Sequence, residues 1–378
     1  MEGNHKKIGI ATLTNYFNYG NRLQNYALQE ILKPYSKEVE TLVIPKNSTS
    51  SRRTKHYIKK LFSQPLSKTA KTFASKINWK IKYLTNKDIL IERERRFKDF
   101  SQNYIKERHF RSLYETNEIS DEFDYVFTGS DQVWNPYFIK NREQYYFLQF
   151  VEEEKRIAYA PSFGISEIPQ EVKQKYKEWL SSIPYISVRE KEGARIIKEL
   201  TGRDVPVLVD PTLLLNKEEW IKIAKEHKNK PKSKYLICYF WGKIPKERKT
   251  LIKRIAEKYN LQIINIANLS DKKTYTADPS EFIDYINSAS LVLTDSYHGS
   301  AFSILMETPF FVFERIGGPS MYSRIRTLLE KTKLKNREEK DIDLNKNLLE
   351  MDFSHVHSIL NEERKKSFDF LKKAMRIE

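Results

Sequence analysis

Four side chains of types that can bind anions or transfer protons lie near the ends of predicted strands. They are Arg189, Asp210, His298 and Arg315. An arginine guanidinium can hold a phosphate or a carboxylate through two parallel hydrogen bonds. A histidine titrates near neutral pH, so it can act as a general acid or base. These residue types indicate an enzyme that binds an anionic substrate in a cleft and moves a proton.

A strand, a polar turn and a helix are predicted around His298. Residues 291–293 form the short apolar run expected of a parallel strand that is covered on both faces. In open α/β sheets ligands bind beyond the carboxyl ends of strands, where the N-terminus of the next helix attracts anions. Gly299 would let a ligand or another chain approach the backbone. The alternative is that Ser296 only caps the helix and that His298 is a half-buried structural residue.

Three polar clusters in the first half, at residues 15–21, 129–135 and 157–164, also follow predicted strands. Their amide and hydroxyl side chains both donate and accept hydrogen bonds, which suits sugar hydroxyls. Each cluster alone could be an ordinary turn, but three such strand ends are hard to attribute to turns. The residues assigned to an acceptor side are Asn18, Gly20, Asn21, Arg22, Gln24, Asn25, Ser130, Asp131, Gln132 and Trp134.

Strands and helices alternate in both halves of the chain, as they do in α/β proteins with parallel sheets. A chain of 378 residues is also longer than one hydrophobic core usually serves. We therefore predict two doubly wound, Rossmann-like domains that face each other across a cleft. Residues 1–180 form the predicted acceptor domain and residues 181–350 the donor domain, while a helix in residues 351–378 crosses back to the first domain.

A basic segment interrupts the first domain within a predicted helical insertion at residues 46–110. Residues 51–82 contain ten Lys or Arg and no Asp or Glu, with apolar residues at helical spacing. Such a helix can lie on an anionic membrane surface, although a charged run is also typical of a solvated helix face. Together with the net charge of +17, the segment predicts an anionic partner.

Several classes of function are excluded by what the sequence lacks. Phosphate-loop, dinucleotide-binding and zinc-protease motifs are absent, as are paired cysteines, so we expect no metal and no organic cofactor. The basic excess comes without a nucleic-acid recognition module, so nucleic acid is not the expected partner. No apolar run predicts a signal peptide or a membrane span. We expect a cytoplasmic protein with peripheral contact to the inner face of the cell membrane.

Five short motifs occur in order, at residues 18–28, 129–134, 187–190, 209–211 and 296–299. Together they resemble the polysaccharide pyruvyl transferase family over roughly residues 8–315. The resemblance implies a two-domain fold of the GT-B kind. It also implies transfer of pyruvate from phosphoenolpyruvate, the co-substrate, onto two sugar hydroxyls as a cyclic ketal. The acceptor would be a glycan of a bacterial capsule or exopolysaccharide, for example one linked to a lipid diphosphate.

By this resemblance Arg189 corresponds to the arginine that holds the donor, and His298 to the histidine of the family's Ser-Arg-x-His motif. Both are predicted at one rim of the second sheet. Ser296 stands in place of the motif's arginine, and the candidates to supply its charge are Arg315, Arg324 and Arg326. We assign catalysis to His298, Arg189 and Asp210. The predicted donor-binding residues are Arg189, Ser296, Tyr297, His298, Gly299 and Arg315.

Phosphoenolpyruvate chemistry agrees with these residue types, because its enol ether becomes electrophilic only when the methylene carbon is protonated by an acid such as histidine. Two other classes of function stay open. One is a glycosyltransferase of the same fold that uses a nucleotide sugar. The other is a non-catalytic carbohydrate-binding or assembly protein of a capsule pathway. The ligand that raises the protein's thermal stability would discriminate between them.

Overall fold

The computed structural model describes residues 6–45, 85–112, 114–317 and 322–377. The basic segment at residues 51–82 lies outside these ranges, so its proposed contact with a membrane stays a prediction. Within the described residues, no helix combines the length and the apolar character needed to cross a bilayer.

The first sheet contains six strands that pair in parallel. These are β1 (Lys7–Ala11), β2 (Glu38–Val43), β3 (Glu107–His109), β4 (Tyr125–Thr128), β5 (Arg156–Ala158) and β6 (Tyr185–Ile186). Their spatial order is β3-β2-β1-β4-β5-β6. Nearly every residue of β1, β2 and β4 is buried, because helices cover both faces of the sheet.

The second sheet contains four strands that also pair in parallel. They are β7 (Tyr235–Tyr239), β8 (Gln262–Asn265), β9 (Leu291–Thr294) and β10 (Phe310–Val312), in the spatial order β10-β9-β7-β8. β9 is the strand predicted before His298, and all four of its residues are buried. The two parallel sheets confirm the predicted α/β fold class with two Rossmann-like, GT-B-like halves.

Twelve α-helices connect and cover these strands among the described residues. They are α1 (Tyr19–Leu32), α2 (Lys87–Tyr104), α3 (Glu143–Tyr146), α4 (Gln170–Ser181), α5 (Lys191–Thr201), α6 (Lys217–Ile221), α7 (Lys246–Tyr259), α8 (Lys272–Tyr275), α9 (Pro279–Ser288), α10 (Tyr297–Met306), α11 (Ser323–Lys331) and α12 (Ser354–Ala374). Short 3₁₀ turns occur at Lys33–Tyr35, Tyr114–Glu122, Glu153–Lys155, Pro211–Leu213 and Glu339–Asp341. The two helices that open onto the site begin at polar caps, Asn18 for α1 and Ser296 for α10.

The boundary between the halves differs from the predicted one at residue 180. β6 pairs with β5 in the first sheet, and Val188 forms a parallel bridge to Val207. Residues 185–188 and residue 207 therefore extend the first sheet and do not open the second. The error arises because β6 is two residues long, and its local sequence does not reveal which strand it joins.

Helix α12 runs from the second half to the starts of β1 and β4, the two central strands of the first sheet. Near its start, Val356 lies beside Ile304 of α10 in a shared surface cavity. Beyond its end, the backbone carbonyl of Met375 accepts hydrogen bonds from Lys6 Nζ at 2.7 Å and from the Tyr125 hydroxyl at 2.9 Å.

The two halves pack closely through α1 and α10. All residues of α10 and all but one of α1 are buried, so both helices lie inside the molecule. The ring of Tyr19 in α1 stacks on Phe282 of α9 with 4.4 Å between ring centroids, and its hydroxyl donates to the carbonyl of Ala277 at 2.9 Å. This packing fixes the start of α1 against the second half, beside the start of α10.

Candidate functional site

Arg189 follows β6 and the bridge residue Val188, where the first sheet meets the second half. Its Nη1 donates to Asp210 Oδ2 at 2.5 Å and its Nη2 donates to Asp131 Oδ1 at 3.2 Å. Its guanidinium also lies over the ring of Tyr297, 4.2 Å from the centroid. The prediction that Arg189 and His298 share a rim of the second sheet is wrong, because the strand before Arg189 belongs to the first sheet. The two residues instead meet across the contact between the halves.

Asp131 joins arginines from both halves. Its φ of 72° is in the left-handed region, and the backbone is held there by a hydrogen bond from Ser162 N to its carbonyl at 2.7 Å. Its Oδ2 accepts from Nδ2 of Asn21, and its Oδ1 lies 3.5 Å from Nη1 of Arg324. Burial raises the pKa of Asp131, but the charge of Arg189 and its other cationic neighbours lowers it more, so the pKa lies below its ordinary value.

Arg324, near the start of α11, brings a second guanidinium into the cluster. With the amide of Gln132 oriented to accept, its oxygen lies 2.6 Å from Nη1 and 3.1 Å from Nη2 of Arg324. Burial and the nearby charge of Arg189 lower the pKa of Arg324 to about 10. The guanidinium groups of Arg189 and Arg324 both face Asp131 Oδ1, and an anion bound beside them would stabilise this pair of positive charges.

The other two arginines suggested by the sequence do not join the cluster. Arg315 lies beside Asp295, with 3.5 Å from its Nε to Oδ2 and 3.3 Å from its Nη2 to the backbone carbonyl. Arg326 is exposed on the outer face of α11. Ser296 caps α10 by accepting from Gly299 N at 3.4 Å, so the capping role considered for it is present.

His298 lies in the first turn of α10 and faces the start of α1. Its imidazole packs so closely against Gly20 that a Cβ at that position would lie 2.0 Å from Nδ1. Its Nε2 is 3.7 Å from Asp210 Oδ2, which is beyond a normal hydrogen bond. Nε2 is buried and has no hydrogen-bond partner among the described residues. A structural histidine would normally have one, so this geometry favours a functional role.

Asp210 is held as a carboxylate at the centre of the cluster. Its Oδ1 accepts from the backbone N and the hydroxyl of Thr212 at 3.0 and 2.8 Å, and its Oδ2 accepts from the hydroxyl of Ser130 at 2.8 Å. Burial raises the pKa of this carboxyl, but the charges of His298 and Arg189 and these hydrogen bonds hold the pKa far below its ordinary value. Asp210 therefore supplies a fixed negative charge beside the imidazole.

Three buried nitrogen atoms in this cluster have no hydrogen-bond partner within the described ranges. They are Nε of Arg189, Nε of Arg324 and Nε2 of His298. Each can donate a hydrogen bond to an oxygen atom, and buried polar groups in folded proteins are normally paired. The cluster therefore has the donors needed to bind a phosphate or a carboxylate.

A cavity of about 500 Å³ opens beside the cluster, on the side of the first half. Its lining residues are Leu13, Thr14, Asn15, Asn18, Asn21, Asp131, Gln132, Phe138, Arg142 and Tyr146. The size is that of a small-molecule site, and the amide side chains suit a sugar. Four residues predicted on the acceptor side line it, namely Asn18, Asn21, Asp131 and Gln132.

Sequence comparison connects this site to a known family. A family model described as polysaccharide pyruvyl transferase matches residues 18–315. The chain belongs to the polysaccharide pyruvyl transferase family. Gly20, Arg189, Asp210 and His298 all lie within the matched residues, whereas Arg324 lies beyond them. A search of curated proteins gave no match.

Solved structures similar to this pyruvyl transferase family member have sequence identities of about 10% to it. The UDP-N-acetylglucosamine 2-epimerase of Rickettsia bellii has 12% identity and a TM-score of 0.48, with 98% of this chain and 97% of that chain covered. The Anabaena protein HepE, solved with UDP and glucose, has 10% identity and a TM-score of 0.47, with 98% and 100% covered. Escherichia coli ADP-heptose heptosyltransferase II has 8% identity and a TM-score of 0.38, with 96% and 99% covered.

Four residues that we assigned to the acceptor side of this pyruvyl transferase family member do not line the cavity. Arg22 pairs with Glu107 of β3 at 2.5 Å. Gln24 and Asn25 are fully buried; Gln24 donates to Thr12, just after β1, and Asn25 accepts from Thr41 of β2. Trp134 stacks on a phenylalanine, with 5.3 Å between ring centroids. The assignment is corrected because α1 is buried on most sides, so the polar side chains of its three residues need partners within the fold, and because Trp134 is a buried core residue.

Three other predicted residues lie in or next to the charged cluster and outside the cavity lining. Ser130 donates to Asp210, Gly20 supports the imidazole, and Tyr297 lies under Arg189. The motif glycine Gly299 packs tightly, because a Cβ there would lie 2.5 Å from the hydroxyl oxygen of Thr294. Gly299 therefore allows α10 to pack closely against Thr294, and its N–H donates to the capping hydroxyl of Ser296.

Sequence reasoning gave no role to Glu190, which holds the third polar cluster in place. Its Oε1 accepts from the hydroxyl of Ser162 and the backbone N of Phe163, both at 2.9 Å, and from Gly164 N at 3.2 Å. Burial raises its pKa above the ordinary value. Its position directly after Arg189 in a matched motif was the available signal.

Phe138, Arg142 and Tyr146 were also missed, although they follow the second polar cluster closely.

Proposed function

We propose that this chain transfers pyruvate from phosphoenolpyruvate onto two hydroxyls of a glycan during synthesis of a bacterial surface polysaccharide, such as a capsule. The observation that carries the proposal is the buried cluster of Arg189, Arg324 and His298 with its unpaired donors, beside an amide-lined cavity. Phosphoenolpyruvate carries a phosphate and a carboxylate, which match two guanidinium groups. Membership of the family supports the reaction class.

The reaction begins when His298 gives a proton from Nε2 to the methylene carbon of phosphoenolpyruvate, which becomes a methyl group. The oxygen of one sugar hydroxyl bonds to the central carbon, and its proton is taken up by the imidazole. The bond from that carbon to the phosphate oxygen then breaks, and phosphate leaves with the electron pair. The second hydroxyl oxygen bonds to the same carbon and its proton passes to phosphate. The products are the cyclic ketal and inorganic phosphate.

The surrounding residues divide the remaining work in this proposal. Arg189 and Arg324 hold the anionic donor, and Asp210 supplies a negative charge beside the imidazole, with 3.7 Å between its Oδ2 and Nε2 of His298. Asn18 and Asn21 bind sugar hydroxyls from the cavity wall. The donor and the acceptor then meet beside Asp131, which contacts both the arginines and the cavity.

Ligand-dependent stability tests the choice of donor. Phosphoenolpyruvate should raise the thermal unfolding temperature of the protein, because a ligand that binds only the native state stabilises it by mass action. UDP-glucose should not. Stabilisation by UDP-glucose alone would favour the glycosyltransferase alternative, and binding of glycans without phosphate release would favour a non-catalytic carbohydrate-binding protein.

Removal of divalent metals should leave turnover unchanged. The expected reason is that the two guanidinium groups neutralise the donor, and no group of three or more metal-ligating side chains occurs in the described part of the chain. The measurement is phosphate release from phosphoenolpyruvate before and after incubation with EDTA. A large loss that magnesium or manganese restores would contradict the expectation.

Arg324→Gln should weaken phosphoenolpyruvate binding about 10- to 100-fold, the range expected for loss of a charge-assisted hydrogen bond in a buried site. Isothermal titration calorimetry measures the affinity directly. Arg326→Gln is the matched control, because it removes the same charge from the exposed side of the same helix. Equal weakening in both variants would show that Arg324 acts only through the general positive potential.

A further inference from the structure

One guanidinium group at the cavity is not explained by donor binding. Arg142 lines the cavity and is partly exposed, and its side chain forms no ion pair or hydrogen bond with any described residue. Its closest aromatic contact is Tyr146, with 6.0 Å from the guanidinium carbon to the ring centroid. Arg189, by contrast, is held by two carboxylates.

The backbone around Arg142 is fixed, so its position at the cavity is built into the fold. Asn141 has a φ of 64°, which turns the chain before Arg142. Arg142 N then donates to the carbonyl of Ile139 at 2.9 Å, and its own carbonyl accepts from Tyr146 N at 3.2 Å. Trp134 Nε1 donates to the carbonyl of Tyr146 at 3.2 Å, which anchors the turn to the core.

The geometry points to an acceptor sugar that carries an anionic group, a phosphate or a carboxylate, which binds Arg142. This inference rests on the proposed function and adds the chemical class of the acceptor. The cavity spans from Asp131, which touches the catalytic cluster, to Arg142. A sugar in it would have its reacting hydroxyls near His298 and its anionic group on the guanidinium, while amide side chains bind the remaining hydroxyls.

Other residues of the cavity agree with an anionic sugar. Asp131 is the only carboxylate in the described lining, and it is already paired with Arg189 and with Asn21. The charge of Arg142 is therefore left for the ligand. Phe138 is 47% exposed and offers an apolar face against which the C–H face of a sugar ring can pack.

The test compares how tightly the intact protein binds sugars with and without an anionic group. The probes are the 1-phosphates of glucose, galactose and N-acetylglucosamine, the corresponding methyl glycosides, and glucuronate and galacturonate. Binding is measured by titration calorimetry with and without saturating phosphoenolpyruvate. At least one anionic sugar should bind more tightly than its neutral counterpart, and whether this is a phosphate or a uronate identifies the source of the charge.

Arg142→Gln should weaken the preferred anionic sugar about 10- to 100-fold and leave the affinity for phosphoenolpyruvate unchanged. Arg142→Lys should recover part of the binding, because an ammonium keeps the charge but not the planar pair of donors. Lys140→Gln is the matched control, since Lys140 is exposed on the same turn and is not part of the described cavity lining. It should bind like the unchanged protein.

Three results would overturn the inference. They are equal affinity for anionic and neutral sugars, equal weakening by Lys140→Gln, and a loss of phosphoenolpyruvate affinity in Arg142→Gln as large as the loss for the sugar. The last would place Arg142 in the donor site. If phosphoenolpyruvate does not bind but the anionic sugar still depends on Arg142, the anionic-sugar site is supported and the proposed donor is wrong.

Discussion

His298→Ala should lower turnover about 10²–10⁴-fold, while the affinity for phosphoenolpyruvate changes far less. In the proposed mechanism the imidazole acts when the methylene carbon is protonated, whereas the arginines hold the donor before that step. Phosphate release from phosphoenolpyruvate in the presence of an acceptor glycan gives turnover, and titration calorimetry gives donor affinity. A large effect on turnover with a small effect on binding identifies an interaction made mainly in the transition state.

A second variant separates proton transfer from packing. His298→Gln keeps a polar side chain of similar reach beside Asp210 but cannot act as an acid, so it should lose as much turnover as His298→Ala. Both variants should fold, because Asp210 keeps its hydrogen bonds from Ser130, Thr212 and Arg189. Thermal unfolding checks this. Near-normal turnover in folded His298→Gln would show that His298 is a structural residue and remove the proposed acid.

Local sequence patterns predicted many strands and helices of this chain, but they assigned one strand to the wrong half and placed β3 within a helical insertion at residues 46–110. The alternation of apolar runs with amphipathic segments is a local property, so the strand predicted at residues 291–293 and the helix after it were found where the structure has β9 and α10. The sheet to which a strand belongs depends on pairing between distant segments. Tyr185–Ile186 follows a helix just as the first strand of a new domain would, yet it pairs with β5.

The same limit explains the outcome at the site. Residue type and position near predicted strand ends identified Arg189, Asp210 and His298 as candidate site residues, and the structure places all three in one cluster. Which of the candidate arginines lies in the cluster depends on how α11 packs against the first half, and only the fold shows that Arg324 reaches Asp131. The residues of α1 after Asn21 were wrongly assigned to acceptor binding, because a sequence motif does not show which face of a helix meets the cavity.

Gly20→Ala should inactivate the protein almost as completely as removal of the imidazole, although it changes no group that takes part in the chemistry. Position 20 is the second residue of α1, where alanine is the better helix former by about 1 kcal/mol. The added Cβ would, however, lie 2.0 Å from His298 Nδ1 and 2.5 Å from the next ring atoms, which no pair of atoms can tolerate. The ring must move, and a displacement of about 1 Å can cost about 10²-fold in rate.

A double-mutant cycle tests this explanation against general damage to α1. In the unchanged protein, Gly20→Ala should lower turnover at least about 10²-fold while α1 stays folded, as judged by circular dichroism and thermal unfolding. In the His298→Ala background the clash is absent, so the same change should have little further effect on the residual rate. If the two losses multiply instead, Gly20 acts on catalysis independently of the imidazole, through the start of α1 and the neighbouring cavity wall at Asn18 and Asn21. That result would separate the role of Gly20 from His298.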